Sequence, residues 1–165
     1  MTMHWCHYAS PLGAMRLAAT RDGLAGAWFV GQKYDEAPAA DWREAPDDPQ
    51  LARARAELDD FFAGRRRAFD LRLAPRGTPF QQRVWRAIAA IPAGETISYG
   101  ELARRAGKPA AVRAAAAATG RNPLSIVVPC HRIVGADGAL TGYAGGLERK
   151  RALLALEGAR PAGGA

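Results

Sequence analysis

The sequence predicts an α+β protein with two domains: a small N-terminal antiparallel β-sheet domain with one helix, and a mainly helical, winged-helix-like C-terminal domain with a helix-turn-helix. Alternating apolar and polar residues in the first half are typical of half-buried strands. Helix-capping patterns in the second half predict helices instead. The turn Ala74-Pro75-Arg76-Gly77 separates the two patterns, so we assign the domains to residues 1–75 and 76–165.

Three strands open the N-terminal domain. We predict them at Met3–Ala9, Met15–Thr20 and Leu24–Val30. The turns Ser10-Pro11-Leu12-Gly13 and Arg21-Asp22-Gly23 connect them. Because short turns join antiparallel neighbours, the three strands should form a meander.

A helix follows a polar, acidic loop over residues 31–46. Asp47 or Asp48 can cap this helix, Pro49 suits its first turn, and Gly64 ends it. Its buried face consists of apolar residues at helical spacing: Leu51, Ala54, Leu58, Phe61 and Phe62.

A charged run and an alternating run close the first domain. Arg65-Arg66-Arg67 could clamp a phosphate, but cations after a helix C-terminus more often complement the helix dipole in solvent, and we favour that interpretation. Phe69, Leu71 and Leu73 alternate with polar residues and predict a further strand.

The C-terminal domain begins with a capping box, Thr78-Pro79-Phe80-Gln81. The helix that it starts ends at Pro92-Ala93-Gly94, and Trp85 is most simply a core aromatic residue. The other side chains of its buried face are Phe80, Val84, Ala87, Ile88 and Ile91.

Two short helices then form a helix-turn-helix. Ser98-Tyr99-Gly100-Glu101 predicts a second capping box and a helix to Arg105. Gly107-Lys108-Pro109 turns the chain into a helix over Ala110–Thr119, which Gly120 ends. Many plain helical hairpins share this form, so the pattern alone does not establish DNA binding.

The second of these helices is nearly smooth, because alanines fill it and Arg113 is its only long side chain. Reading bases in the major groove requires several polar side chains, which this helix lacks. A smooth helix can instead lie against the minor groove and insert one wedge beside an extruded base. The alternative, a tightly packed core helix, leaves Arg113 unexplained.

The central stretch of the domain is Ile126–Val134, two apolar runs interrupted by Pro129-Cys130-His131-Arg132. Such runs indicate a buried strand or core segment, so Cys130 should lie on rigid backbone near the interior. A thiol becomes a strong nucleophile at neutral pH when a histidine draws it toward thiolate. The alternative is that Cys130 is a small core hydrophobe.

Turns and a last helix complete the chain. Arg121-Asn122-Pro123 and residues 135–138 are turns, and residues 141–146 form a glycine-rich loop without the spacing of a phosphate-binding loop. The final helix, Leu147–Glu157, ends at Gly158, and we expect residues 159–165 to form a disordered tail. This helix should pack its leucines, Leu147, Leu153, Leu154 and Leu156.

Charge is unevenly distributed along the chain. Residues 1–75 carry ten Lys and Arg against eleven Asp and Glu, whereas residues 76–165 carry thirteen against five. A basic half suggests nucleic acid or another polyanion as partner, although a high arginine content can also reflect genome composition.

No apolar run approaches the ~18 residues that span a bilayer, and the N-terminus lacks the regions of a signal peptide. We therefore expect no membrane partner and a cytoplasmic location. Cys6 and Cys130 lie far apart in sequence, so a structural disulfide is not expected.

The motif Pro129-Cys130-His131-Arg132 resembles the active-site motif of the O6-alkylguanine-DNA alkyltransferases, and the likeness extends from Gly77 to Gly158. The resemblance implies a DNA repair protein that binds double-stranded DNA by the minor groove, flips an O6-alkylguanine and transfers the alkyl group irreversibly to Cys130, once per molecule. O4-alkylthymine is a second candidate substrate. No cofactor is implied, and we expect a monomer.

The resemblance also implies roles for individual residues. Cys130 would accept the alkyl group, His131 would act as base through a water, Glu157 would orient His131, and Asn122 would brace the active-site turn. Contacts to DNA would come from Tyr99, which also donates to the guanine, from Arg113 as the arginine finger, and from Lys108, Arg121 and Arg132. The alkyl pocket would be formed by Ile133, Tyr143, Ala144 and Gly145, with Ala144 where some members carry serine.

Some members of that family hold a structural zinc through N-terminal cysteines and histidines. Here only His4, Cys6 and His7 are available near the N-terminus, which is too few for a four-ligand site, so we predict no metal.

Two other functions fit the motifs. One is a DNA-binding module without chemistry, such as a helix-turn-helix regulator or an alkyltransferase-like damage sensor, against which the presence of Cys130 argues. The other is a thiol hydrolase using Cys130 and His131, which would turn over on a peptide or ester without DNA.

Overall fold

The structure, a computed structural model, describes residues 2–159. It divides into two compact units, one made of Met1–Arg76 with Pro123–Ser125 and the other of Gly77–Asn122 with Ile126–Ala165. The sequence placed the boundary one residue earlier and did not assign 123–125 to the first unit. Residues 160–165 of the predicted tail lie outside the described residues.

The first unit is built on a four-stranded sheet in the order β3-β2-β1-β4. Its strands are β1 (His4–Ser10), β2 (Gly13–Thr20), β3 (Gly23–Phe29) and β4 (Arg43–Glu44). The first three pair antiparallel, which confirms the predicted meander. The two-residue β4 pairs parallel to β1 and was not predicted, because two residues are too few to form a pattern.

Helix α1 (Pro49–Phe62) packs in the same unit. The Asp48 side chain caps it by accepting from the backbone N–H of Gln50 at 2.8 Å, as the sequence predicted. The residues Leu51, Ala54 and Leu58 are fully buried. The cations beyond its end pair with acidic residues, since Arg65 contacts Asp60 at 2.9 Å.

The prediction of a strand over Phe69, Leu71 and Leu73 is wrong. This segment makes a single parallel bridge, in which the Leu24 backbone donates to Arg72 O at 2.8 Å and accepts from Ala74 N at 2.7 Å. Alternating apolar residues determine which side chains face the core, but a strand also needs a partner along its length.

The second unit begins with α2 (Pro79–Ala89), whose predicted capping box is present. Gln81 N donates to the Thr78 hydroxyl at 3.1 Å, and Thr78 N donates to the Gln81 side chain at 2.9 Å. Trp85 is buried, as predicted, and its indole N–H donates to Ala118 O at 2.8 Å. Phe80 is only partly buried.

Helices α3 (Tyr99–Arg105) and α4 (Val112–Gly120) form the predicted helix-turn-helix. The second capping box is only half formed: Ser98 accepts from Glu101 N, but the Glu101 carboxylate pairs with Arg104 and Arg105. Helix α4 begins two residues later than predicted and has no side-chain cap. Its alanines face two ways, with Ala115 and Ala118 buried and Ala114 and Ala117 exposed.

The central apolar stretch is a core segment and not a continuous strand. Ile126–Val128 are buried without ladder bonds, a 3₁₀ turn covers Cys130–Arg132, and β6 (Ile133–Val134) pairs in parallel with β5 (Ile97–Ser98).

The last helix is α5 (Leu147–Leu156). It buries Leu153 and Leu154 as predicted, but Leu147 and Leu156 are 44% and 41% exposed. Lys150, in contrast, is fully buried. Within residues 2–159, no helix is both long and apolar enough to cross a membrane.

Candidate active site

Cys130 begins the 3₁₀ turn of the second unit and is almost fully buried. Two donors meet at the Val128 carbonyl just before it, Asn122 Nδ2 at 2.8 Å and the Cys130 N–H at 2.8 Å. Ile126 adopts a φ of 73°, a conformation that a β-branched residue adopts only when its surroundings enforce it. The turn is therefore held rigidly, and Asn122 makes one of the bonds that hold it.

Burial raises the pKa of the Cys130 thiol, because a thiolate loses solvation in an apolar interior. A hydrogen bond from Asn122 and the positive charge of Lys150 act in the opposite direction. The thiol therefore needs a base in its surroundings to react at neutral pH.

His131 is fully buried beside the cysteine. Its Nε2 lies 2.8 Å from Glu157 Oε2, whereas its Nδ1 has no hydrogen-bond partner within the described part of the chain. Burial lowers the pKa of His131, and the bond to Glu157 opposes that effect without reversing it. A neutral imidazole that donates from Nε2 to a carboxylate has an unprotonated Nδ1, which is a proton acceptor.

Glu157 follows α5 and accepts from His131 and Arg132. Arg132 donates from Nε to Oε1 at 2.9 Å and from Nη2 to Oε2 at 2.6 Å. Burial alone would raise the pKa of Glu157, but the bonds from His131 and Arg132 lower it to about 2. Glu157 is therefore a carboxylate at neutral pH and fixes the orientation of His131.

The expectation that Arg132 contacts DNA is wrong. Its guanidinium is buried and bonds to Glu157 and to the Ile91 carbonyl. A side chain held in this way cannot reach a phosphate, and its position shows that it braces Glu157.

The sequence did not identify Lys150 as part of this region. Its ammonium donates to Ile133 O at 2.6 Å and to Thr141 O at 3.1 Å. Burial lowers the pKa of Lys150 to about 8, against the opposing influence of Cys130, so it is largely charged at neutral pH. Lys150 lies three and four residues before the buried Leu153 and Leu154, and this helical spacing could have revealed it.

Of the four predicted pocket residues, Tyr143 contacts the turn and Ile133 directly follows it. Tyr143 packs edge-on against His131, with ring centroids 6.4 Å apart. Ala144 is partly buried, Gly145 is buried, and Ile133 is wholly buried with its carbonyl bonded to Lys150. Tyr99, the first residue of α3, has its hydroxyl 3.2 Å from the Thr141 hydroxyl.

The remaining residues predicted to contact DNA are exposed on the helix-turn-helix. Arg113 and Arg121 are solvent-exposed residues at the two ends of α4. Lys108, in the turn before it, lies 5.5 Å from the centroid of the Phe80 ring, and Arg83 lies 5.7 Å from the same ring. The structure thus separates exposed cations from a buried reactive centre within one unit.

No three His, Cys, Asp or Glu side chains of residues 2–159 are grouped so that they could hold a metal ion. Both cysteines, Cys6 and Cys130, are free thiols.

Comparison with known proteins identifies both halves of the chain. Residues 79–159 match the family described as 6-O-methylguanine DNA methyltransferase, DNA binding domain, and residues 3–75 match its ribonuclease-like domain.

Individual relatives give the same result. The methylated-DNA–protein-cysteine methyltransferase of Methanosarcina acetivorans is 46% identical over 94% of this chain and 99% of its own length. That of Mycobacterium bovis is 47% identical over 96% and 94%. The crystal structure of Mycobacterium tuberculosis OGT in complex with DNA is similar with a TM-score of 0.85 and 45% identity, over 94% of this chain and 92% of that one.

Proposed function

Since the chain belongs to the 6-O-methylguanine DNA methyltransferase family, we propose that it repairs double-stranded DNA by moving the alkyl group of an O6-alkylguanine onto Cys130. The observation that carries this proposal is the buried set of side chains Cys130, His131 and Glu157, in which His131 Nδ1 has no partner among residues 2–159. A base with one nitrogen fixed and the other unoccupied can deprotonate a neighbouring thiol.

The reaction follows from these positions. His131 Nδ1 takes the thiol proton, through a bridging water, while Glu157 stabilises the imidazolium that forms. The Cys130 sulfur attacks the alkyl carbon in line with the bond to O6, a C–S bond forms, and the C–O6 bond breaks. The electron pair of the broken bond stays on the guanine. The proton that left the thiol is the one that the guanine gains, so the products are neutral guanine and a thioether.

The protein acts once because the product is a thioether. A thioether sulfur is a poor leaving group, and the nucleophile remains blocked by the transferred group. Asn122 holds the turn that presents Cys130, and Arg132 keeps Glu157 in its charged form.

The buried position of Cys130 requires the base to leave the helix. We assign the extrusion to α4, whose exposed alanines let the helix approach a narrow groove, and to Arg113, which fills the gap in the stack. Tyr99 would crowd the phosphate of the target nucleotide and donate to the flipped guanine. Lys108 and Arg121 would neutralise phosphates, and Tyr143, Ala144, Gly145 and Ile133 would enclose the alkyl group.

One chain suffices for this chemistry, because all these residues belong to the second unit, and we propose a monomer. Free Cys6 and Cys130 suit a reducing compartment, which supports a cytoplasmic location.

Intact-mass measurement after incubation with a duplex containing O6-methylguanine tests the proposal. We expect the protein to gain one methyl group, located on the Cys130 peptide, and never a second. A protein of unchanged mass that still binds the duplex would instead indicate a binding module without chemistry.

A further inference from the structure

We propose that Thr141 is a positioning residue for alkyl transfer, because it holds the Tyr99 hydroxyl so that the phenol proton is directed at the flipped purine. This inference rests on the function proposed above and assigns a role to a residue that the sequence did not single out.

The two hydroxyl groups lie within hydrogen-bonding distance of each other. Thr141 Oγ1 lies 3.2 Å from the Tyr99 oxygen, a distance at which the threonine hydroxyl can donate to the phenol oxygen. A phenol has one proton to donate and lone pairs that accept. When Thr141 supplies the proton of this bond, the proton of Tyr99 remains for a second acceptor, and a ring nitrogen of a purine is such an acceptor.

Thr141 is itself held in place by its neighbours. Its main-chain carbonyl accepts from Lys150 at 3.1 Å, and the same ammonium bonds the carbonyl of Ile133. Its methyl group lies against Gly135, where an added Cβ would come within 3.3 Å of Thr141 Cγ2. Because a β-branched side chain has few rotamers, these contacts fix the direction of the hydroxyl.

The contacts connect the tyrosine to the nucleophile. Ile133 directly follows the turn that carries Cys130, and Tyr99 begins α3. Lys150 and Thr141 thus link the strand after Cys130 to the side chain proposed to donate to the guanine. A tyrosine held in this way loses less freedom when the base enters.

A purely structural threonine would stabilise the loop without affecting Tyr99, and paired variants separate the two roles. Thr141→Val keeps the shape and removes the hydroxyl, whereas Thr141→Ser keeps the hydroxyl and removes the methyl group. Tyr99→Phe and the double variant T141V/Y99F complete the cycle.

The measurement is the rate of methyl transfer from a duplex containing O6-methylguanine, followed by intact mass, with the unfolding midpoint of each variant. We expect T141V to be about 3- to 10-fold slower than wild type, in keeping with the loss of one hydrogen bond. T141S should be within about twofold of wild type. The double variant should be no slower than Y99F.

The inference would be overturned if T141V reacted as fast as wild type. It would also be overturned if T141V slowed the reaction by the same factor in the wild-type and Y99F proteins. A wild-type protein that accepts no methyl group would overturn the proposed function, and this inference with it. If T141V does not fold, T141S is compared with Thr141→Ala instead, because the first of these keeps the hydroxyl and the second lacks it.

Discussion

His131 Nε2 and Glu157 Oε2 lie 2.8 Å apart, and their side chains are 0% and 2% exposed. Arg132 bonds both oxygens of the same carboxylate, so His131 and Arg132 together surround Glu157 with donors in the interior. A buried carboxylate with such partners stays charged, and removing either its charge or its partners is costly.

Acid should therefore destabilise the protein in two steps. The folded pKa of His131 lies below its ordinary value of 6.5, so the unfolded chain binds the extra proton first and stability falls as pH drops below about 6.5. The pKa of Glu157 is about 2 in the folded protein, against an ordinary value of 4.5. Its ionisation therefore contributes about 3 kcal/mol to the free energy of unfolding above pH 4.5, and this contribution is lost as the pH falls toward 2. Urea unfolding at successive pH values measures both steps.

Glu157→Gln should remove the lower step and cost about 3–5 kcal/mol at neutral pH, since it leaves Arg132 buried without its counter-charge. Glu101→Gln is the matched control, because Glu101 also pairs with two arginines but at the surface, where ion pairs contribute little. An equal loss in both variants would contradict the special position of Glu157.

Cys130→Ser should abolish alkyl transfer and leave folding and DNA affinity close to wild type, because the thiol supplies the nucleophile and little of the exposed surface. Intact mass and a DNA-binding titration check the two parts. Replacing Cys6 in the same way should leave transfer unchanged, since Cys6 is buried in the other unit. Transfer by C130S at a comparable rate would refute the assignment of the acceptor.

Features with a local cause were predictable from the sequence. The caps at Asp48 and Thr78 join residues two or three positions apart, so a few letters of sequence specify them. The motif around Cys130 identified the chemistry by resemblance. The candidate site was therefore predictable at the nucleophile and its adjacent histidine.

The supporting contacts were not predictable because their partners are distant in sequence. Lys150 bonds carbonyls 17 and 9 residues away, and Arg132 meets Glu157 across 25 residues. Both are cations, which are usually exposed, and only the tertiary fold brings carbonyls and a carboxylate to them.

Lys150→Met should make Cys130 less reactive. The ammonium lowers the pKa of Cys130, so its removal should move the pH profile of iodoacetamide alkylation to higher pH. The reaction at pH 7 should slow about tenfold for each pH unit by which the profile moves, because only the thiolate reacts. The rate is followed on the Cys130 peptide.

Arg151→Met is the matched control for Lys150→Met, because it removes an exposed cation from the same helix and should leave the profile in place. Identical profiles for wild type and K150M would show that the lysine acts only through its hydrogen bonds.

Arg113→Ala should slow repair of duplex DNA far more than reaction with free O6-methylguanine. Extruding a base costs a few kcal/mol, which an inserted side chain helps to offset, and the free base needs no extrusion. Both rates are read as methylation of Cys130. Equal losses on the two substrates would indicate a structural arginine and remove the basis for the finger role.

DNA affinity should fall steeply with salt and depend little on flanking sequence. The exposed residues of α4 are two alanines, Val112 and one arginine, whereas base readout would need several polar side chains. We expect the phosphate contacts to come from cations of the second unit, namely Arg83, Arg104, Arg105, Lys108 and Arg121. Arg104 and Arg105 share Glu101, an exposed pairing weak enough to exchange for phosphate.

The logarithm of affinity should decrease linearly with the logarithm of salt concentration, with a slope of about −0.9 per phosphate neutralised. Lys108→Gln should reduce that slope by about 0.9, since Lys108 is exposed in the turn before α4. Arg65→Gln serves as the control. It removes a cation that pairs with Asp60 in the first unit, so it should leave the slope unchanged. Fluorescence titrations at several salt concentrations, on two unrelated duplexes, measure both effects.

A flat salt response or a strong preference for one undamaged duplex would favour a sequence-specific regulator. A repair protein that searches a whole genome for one damaged base must instead bind every sequence alike.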